Sequence, residues 1–408
     1  MFSFSKIALR NIFRNKRRTL ITGSILIFGC GALIVARGFM ATMYEGARES
    51  AILQGVGHLQ LYNPSFFDKE ETKPLEFGLS DHRAVQQLLE TTPHVRAAEA
   101  RLEFMGLISN GEKSVGFMGE AVQPDRQKRM GMLVKTQSGD NLLAAKADDP
   151  VILGAGLAKS LSVRPGDVLT ILATTADGAL NGIDVTVAGT FTTGFKEADA
   201  RLLSVRLETA QRLLATERVT KLVVGLDKTE NTDSAKAQIA ELLRRNRLNL
   251  ALRTWSELSL VYRQVVATFS VIFAVLGLII FVLVVLSSSN TMMMAVFERV
   301  QEIGTLMALG TSRLRILTLF LLEGLFMGIL GGAASVGLAW GFSALVNSAK
   351  IHVPPPPGTT SGFPIEIKQL PETFVAVFIL AVIMMALGAL LPALRGSRLK
   401  IVDALGHI

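Results

Sequence analysis

The sequence predicts a membrane protein with four transmembrane α-helices, one before and three after a large α+β extracytoplasmic domain inserted between the first and the second. Three observations lead there. Half of the 408 residues are hydrophobic and the mean hydropathy is +0.41, too apolar for a soluble chain with a polar surface. Four stretches carry almost no charge over a length near the ~20 residues needed to cross a hydrocarbon core of ~30 Å. Their spacing is lopsided, with a long mixed sequence after the first and short connections between the last three.

The elements follow in order. Residues 1–18 hold Lys6, Arg10, Arg14, Lys16, Arg17 and Arg18 and no acid, so the positive-inside rule keeps this basic N-terminal helix in the cytoplasm. Span 1 covers 19–40, with a charge-free run from Thr19 to Ala36. A cleaved signal peptide competes with it, but the basic region is long and no A-x-A site follows, which favours a retained anchor. The sole cysteine, Cys30, lies within this span; it reads as a small buried hydrophobe, and no intrachain disulfide is available. Residues 41–260 form the outer domain. Span 2 is 261–297, a cytoplasmic connection 298–312, span 3 313–349, an outer Pro-rich loop 350–372, span 4 373–394 and a cytoplasmic tail 395–408. Arg395, Arg398 and Lys400 in the tail agree independently with that orientation.

In the outer domain, β-branched or alternating runs mark strands at 58–63, 167–173, 184–191 and 221–226, and helical periodicity appears at 81–90, 207–216 and 234–246. Asp81 and Ser234 are expected N-caps, and "RPGD" (164–167) a tight turn feeding a strand. Residues 64–80 are expected to form a long surface loop. Near 256–269 the pattern passes into span 2 without a flexible linker, as a helix that transmits motion would.

Chemistry is conspicuous by what is missing. Much of the net charge of +8 is explained by residues flanking the spans, and no aromatic-interleaved basic stripe suggests nucleic acid. "GAGLAKS" (154–160) has Ala158 where a phosphate loop needs Gly before its Lys, and reads as an ordinary helix start. The histidines lack metal-ligand spacing and no G-x-S-x-G turn occurs, so no catalytic and no metal site is expected. Glu323 is the one ionisable residue inside a span; it is either functional or paired with a neighbouring Arg or hydroxyl near the membrane face.

The connection "ERVQEIGTLMALGTSRLRI" (298–316) stands out. Val300, Ile303, Leu306 and Met307 recur at helical spacing, with Glu298, Arg299 and Glu302 on another face and Arg299 able to pair with Glu302. Gly310 supplies a stop, and Thr311 or Ser312 a cap for span 3. A rigid charged helix fits a docking element for a partner; a helix lying flat on the lipid is the alternative.

This stretch resembles the motif E-R-x-x-E-I-G-x-x-[KR]-A-[LI]-G-[AS]-x-x-x-x-I of the FtsX/MacB/LolC-LolE permeases. Glu298, Arg299, Glu302, Ile303, Gly304, Ala308, Leu309, Gly310 and Ile316 match; Met307 stands where the family often has a basic residue. "ALRNIFRNKRRTL" (8–20), "ILGAGLAKSLSVRPGDVLTIL" (152–172) and "PALRGSRLKIVDAL" (392–405) are similar to other family stretches, the last with Ile401 in place of a common Pro. The resemblance implies a non-catalytic permease of the type VII ABC class, paired with a second copy or paralogue. Two copies of a separate cytoplasmic ATPase would bind ATP and Mg, leaving no cofactor on this chain. Residues 298–310 would be the coupling helix, with Glu302 facing the ATPase, and would pass its stroke to the outer domain by mechanotransmission.

"VPPPPGTTSGFPIEI" (353–367) resembles outer loops of the lipoprotein-releasing LolC/LolE-like branch, though a stiff polyproline spacer explains it as well. For that branch Phe39, Met40 and Met43 would line a groove for acyl chains, Met being adaptable; packing within the dimer is the competing account. Lipoprotein release is thus the leading expectation, with a periplasmic chaperone or adaptor and membrane lipids as further partners. MacB-like export of peptides or drugs and FtsX-like activation of a cell-wall hydrolase are the alternatives.

Overall fold

A computed structural model describes residues 10–11, 14, 16–66, 77–354, 363–399, 401 and 404. Most of the basic segment 1–18, the middle of the expected loop 64–80, the polyproline core of 350–372 and most of the final residues of the tail lie outside them. The chain divides into two compact units, one of residues 1–45, 265–352 and 364–408, the other of 46–264 and 353–363.

Among the described residues, four helices are long and apolar enough to cross a membrane. The first, α1 (Lys16–Ala51), runs well past the expected end of span 1 before a π-helical turn at Ile52–Val56. The inserted domain then alternates strands and helices: β1 (Leu59–Tyr62), α2 (His82–Glu90), β2 (Val95–Ser109), β3 (Ser114–Val122), α3 (Pro124–Met130), β4 (Thr136–Gly139), β5 (Pro150–Gly154), α4 (Ala155–Leu161), β6 (Val168–Thr174) and β7 (Leu180–Phe191). It continues through α5 (Lys196–Asp199), β8 (Leu202–Arg206), α6 (Leu207–Leu214), β9 (Lys221–Leu226), α7 (Thr232–Arg245), β10 (Ala251–Thr254) and α8 (Trp255–Leu258). The remaining helices are α9 (Leu260–Glu298), α10 (Val300–Ala308), α11 (Arg313–Ser348) and α12 (Pro371–Ser397).

The strands form one sheet in the order β10-β1-β9-β2-β3-β8-β5-β7-β4, with β6 joining β2 to β7. That last pairing closes β2, β3, β8, β5, β7 and β6 into a ring. Period-two alternation then points Phe104, Ile108, Phe117, Leu169, Ile171, Val185 and Val205 into its core, with Phe104 and Phe117 edge to face at 5.5 Å. At ~1.5–3 kcal/mol per fully buried large side chain, this core and the amphipathic α2, α6 and α7 hold the domain without a disulfide.

All four expected strands and three expected helices occur. Two details differ. Asn231, not Ser234, precedes α7, because Thr232 is already helical and the Ser234 hydroxyl turns back onto the Asn231 carbonyl at 3.1 Å. Asp81 occupies the N-cap of α2 without a side-chain cap bond. The junction before span 2 is also not one unbroken helix: α8 starts with a capping box of Thr254 and Glu257, and Ser259 leaves helical geometry before α9 begins.

In the other unit, α11 and α12 approach closely through a small-residue stripe. A Cβ at Gly324 would lie 2.6 Å from Ala389 Cβ, and one at Gly328 2.8 Å from Val382 Cα. Glycine every fourth residue opens one helix face to close backbone contact, as membrane helices require without a hydrophobic drive between them.

Candidate functional site

The connection between the second and third spans carries the motif residues, and its local structure explains why they are spaced as they are. Glu298 is the last residue of α9, not the first of the next helix. Arg299 leaves helical geometry at φ −117° and ψ 18°, and α10 restarts at Val300 with the Arg299 carbonyl accepting from Ile303 N at 2.9 Å. The expected helix 298–310 is therefore shortened to 300–308 with a corner at Arg299.

That corner aims the Arg299 guanidinium away from Glu302 and toward Glu323 on α11, where its Nη1 donates to Oε1 at 3.0 Å. Asn11 Nδ2 donates to the same oxygen at 2.5 Å. The lone carboxylate of the spans is thus paired with a neighbouring Arg and an amide, and it is only 4% exposed. Arg299–Glu302 pairing is not made. Glu302 is instead taken by Arg14, whose Nη2 and Nη1 donate to its two oxygens at 2.8 and 3.4 Å. That hydrogen bond holds the Glu302 carboxyl below the usual carboxylate range, so it stays ionised. Glu298 pairs with Arg18. The acidic residues expected to wait for a partner are engaged inside the chain.

One face of α10 is equally committed. Val300, Ile303, Gly304 and Met307 are buried, and Ile303 and Met307 join Val296, Ile316, Phe320 and Ala393 in a cluster at the base of the spans. Leu306, grouped with them on periodicity, is instead 36% exposed. A Schellman end closes the helix: Gly310 at φ +92° donates to Met307 O and Thr311 N to Leu306 O, both at 3.0 Å. Ser312 then occupies the N-cap of α11, although without a side-chain cap bond. The turn leaves Ala308, Leu309 and Gly310 outward, with Leu309 at 79% and Leu314 at 68% exposure, flanked by exposed Arg313 and Arg315.

Of the nine matching motif positions, Ala308, Leu309 and Gly310 face outward, Glu298 and Glu302 are exposed but paired, and Arg299, Ile303, Gly304 and Ile316 hold α10 in place. Arg14, Arg18, Asn11 and Leu314 belong to the same assembly and were missed. The i, i+4 spacing of Arg14 and Arg18, matching that of Glu298 and Glu302, was the signal available.

The expected groove residues lie on one stretch of α1. Met40 is 6% exposed and faces the interior, while Phe39 and Met43 are half-buried. The reason lies at Gly38, where Lys368 N donates to the Gly38 carbonyl at 3.3 Å and Ile367 Cγ2 would lie 2.9 Å from a Cβ. The segment before α12 thus covers this part of α1. A cavity of about 460 Å³ is lined by Leu33, Arg37, Phe273, Glu372, Thr373, Ala376 and Val377.

Two family models match this chain: the MacB-like periplasmic core domain over residues 19–242 and the FtsX-like permease C-terminal region over 263–401. The chain is 26% identical over 357 residues to the lipoprotein-releasing system transmembrane protein LolC of Neisseria meningitidis serogroup B, covering 82% of this chain and 81% of that one. It is 24% identical over 354 residues to the macrolide export ATP-binding/permease protein MacB of Sodalis glossinidius, covering 84% of this chain and 52% of that one. Among solved structures, the periplasmic region of MacB from Actinobacillus actinomycetemcomitans is similar over 53% of this chain and 94% of that one, at 11% identity and a TM-score of 0.36.

Proposed function

This chain belongs to the family of FtsX-like permeases with a MacB-like periplasmic core domain, and from that premise we propose that it is the permease subunit of an ABC transporter, driven by a separate cytoplasmic ATPase. The observation that carries the reading is the split character of α10. One face is locked into the chain by Ile303, Met307 and the Arg299–Glu323 pair, while its end and the first turn of α11 present Leu306, Leu309 and Leu314 beside Arg313 and Arg315. A rigid strut with an apolar, basic-rimmed tip is what a nucleotide-driven partner needs to push against. ATP and Mg reside on that partner, and this chain binds no cofactor. It sits in the inner membrane with both termini cytoplasmic, and pairs with a second copy or a paralogue.

The work done is release of lipoproteins from the membrane by mechanotransmission. The similarity to LolC over most of both chains supports this. MacB-like export with a periplasmic adaptor is the second reading, favoured by the match of the core domain over 19–242; FtsX-like hydrolase activation has no specific feature in its favour.

The test replaces the outward tip. Leu309→Asp leaves every buried contact of α10 in place, so the chain folds, but co-purification with the cognate ATPase and ATP-dependent release of lipoprotein from proteoliposomes are lost. Normal coupling in this variant would refute the docking role. Wild-type complex that hydrolyses ATP and releases no lipoprotein would refute the cargo and leave export to be assayed.

A further inference from the structure

The contacts that hold the motif acids form a longer seam. Positions 10, 11 and 14 are helical, as is α1 from Lys16, so Asn11, Arg14, Arg18 and Thr22 lie at steps of three, four and four on one face. Against them the chain sets Glu323, Glu302, Glu298 and Thr291: Asn11 donates to Glu323 at 2.5 Å, Arg14 to Glu302 at 2.8 Å, Arg18 pairs with Glu298, and the hydroxyls of Thr22 and Thr291 lie 2.6 Å apart. The direction is antiparallel and the register is specific. A slip of one turn either way keeps only one of the two Arg–Glu pairs. Farther along the same face, Leu26, Cys30 and Ile34 are buried with Val284, and Ile280 Cγ2 would lie 3.0 Å from a Cβ at Gly29.

The seam therefore changes character along its length. Over Leu26 to Ile34 it is apolar packing; at the other end, outside the charge-free run, it is ionic, with Arg14 on Glu302 of α10 and Arg18 on Glu298 at the end of α9. Apolar contact alone would leave the end of α1 free to slide against α10. The two Arg–Glu pairs, at i, i+4 spacing on both sides, oppose that slide.

We infer that Arg14 and Arg18 are positioning residues that tie the first span to α10 at Glu302 and to the adjoining end of α9 at Glu298, so that displacement of α10 enters the first span directly as well as the second. This rests on α10 being the contact for the ATPase. It assigns the basic N-terminal segment a mechanical role beyond orienting the chain in the membrane.

The experiment uses the full permease with its cognate ATPase in nanodiscs. Arg14→Glu with Arg18→Glu, and separately Glu298→Arg with Glu302→Arg, each keep the ATPase bound but lower permease-stimulated ATP hydrolysis by about 5-fold, the scale of two partly exposed pairs. Combining the four changes restores it to within about 2-fold, since swapped charges remake the pairs. In addition, Arg14→Cys and Glu302→Cys joined by a short, reducible bis-thiosulfonate linker leave stimulation intact, because the first span and α10 then travel together.

Failure of the swap to restore activity, or loss of stimulation on linking that returns on reduction, would overturn the inference. Both outcomes require wild-type stimulation. A wild-type chain that neither binds nor stimulates the ATPase would instead defeat the reading of α10, and the inference with it.

Discussion

Removing Arg299 is the sharpest perturbation of the site. Its guanidinium is the only cation bonded to Glu323 among the described residues, at 3.0 Å, and the two side chains are 11% and 5% exposed. Truncating one member of a buried pair strands the other charge, at a cost of ~3–5 kcal/mol. Asn11 still donates to Glu323, so Arg299→Ala should fall at the lower end, about 3 kcal/mol, or roughly a hundredfold in the equilibrium between seated and released α10. Replacing both partners, Arg299→Met with Glu323→Leu, removes the charge problem and should cost no more than about 1 kcal/mol. The assay is labelling of a cysteine substituted at buried Met307 in detergent-purified full chain, with thermal unfolding in parallel. Equal loss in the single and double variants would show that Arg299 acts by packing alone, and a single variant indistinguishable from wild type would refute the argument altogether.

Arg101 offers a parallel case in the inserted domain. Its Nε donates to Glu99 at 2.8 Å and its Nη1 to Glu120 at 2.9 Å and to the Gly55 carbonyl at 2.6 Å, all beneath a 2%-exposed side chain, so Arg101→Met should cost about 3–5 kcal/mol in denaturant unfolding; a cost below about 1 kcal/mol would contradict it. Gly310→Ala should destabilise the seating of α10 by about 1 kcal/mol because φ of +92° disfavours a Cβ, which the same Met307 labelling rate measures. His58 and His82 are both held below the ordinary imidazole range by burial, and His58 Nδ1 already accepts from Leu226 N at 3.1 Å, leaving no room for a second proton. The unfolded chain then binds protons more readily, so stability should be full above about pH 6.5 and fall as pH drops below it; Tm measured at pH 5 and pH 8 checks this, and His58→Gln should shrink the difference to the part that His82 contributes.

Much of the domain was legible because its signals are local. "KLVVGL" is a strand at 221–226 as read, and "GAGLAKS" opens a short helix as read, although the strand that leads into it was not. β2 and β3 were not read: "VRAAEARLEFMGLIS" carries Glu, Arg and Ala where a strand pattern wants alternation. The cause is that β2 serves two neighbourhoods. Its first half pairs with β9 and buries Glu99 and Arg101 as a bonded pair, and its second half closes the ring with β3 and β6. The Gly324, Gly328 and Gly332 stripe was visible in the sequence and went unused.

The sequence alone determined the number and order of the spans, since hydrocarbon thickness sets a length that charge-free runs either meet or do not. It also determined that the connection after Glu298 is a short helix stopped at Gly310, because a left-handed stop and apolar spacing are properties of neighbouring residues. Only the tertiary structure decided which motif residues face outward. Arg299 and Glu302 are close enough in sequence to pair, but Glu323, Asn11 and Arg14 approach from distant parts of the chain and offer deeper or better-aligned partners. Charge at a position says what a side chain can bond; the fold decides which partner arrives first.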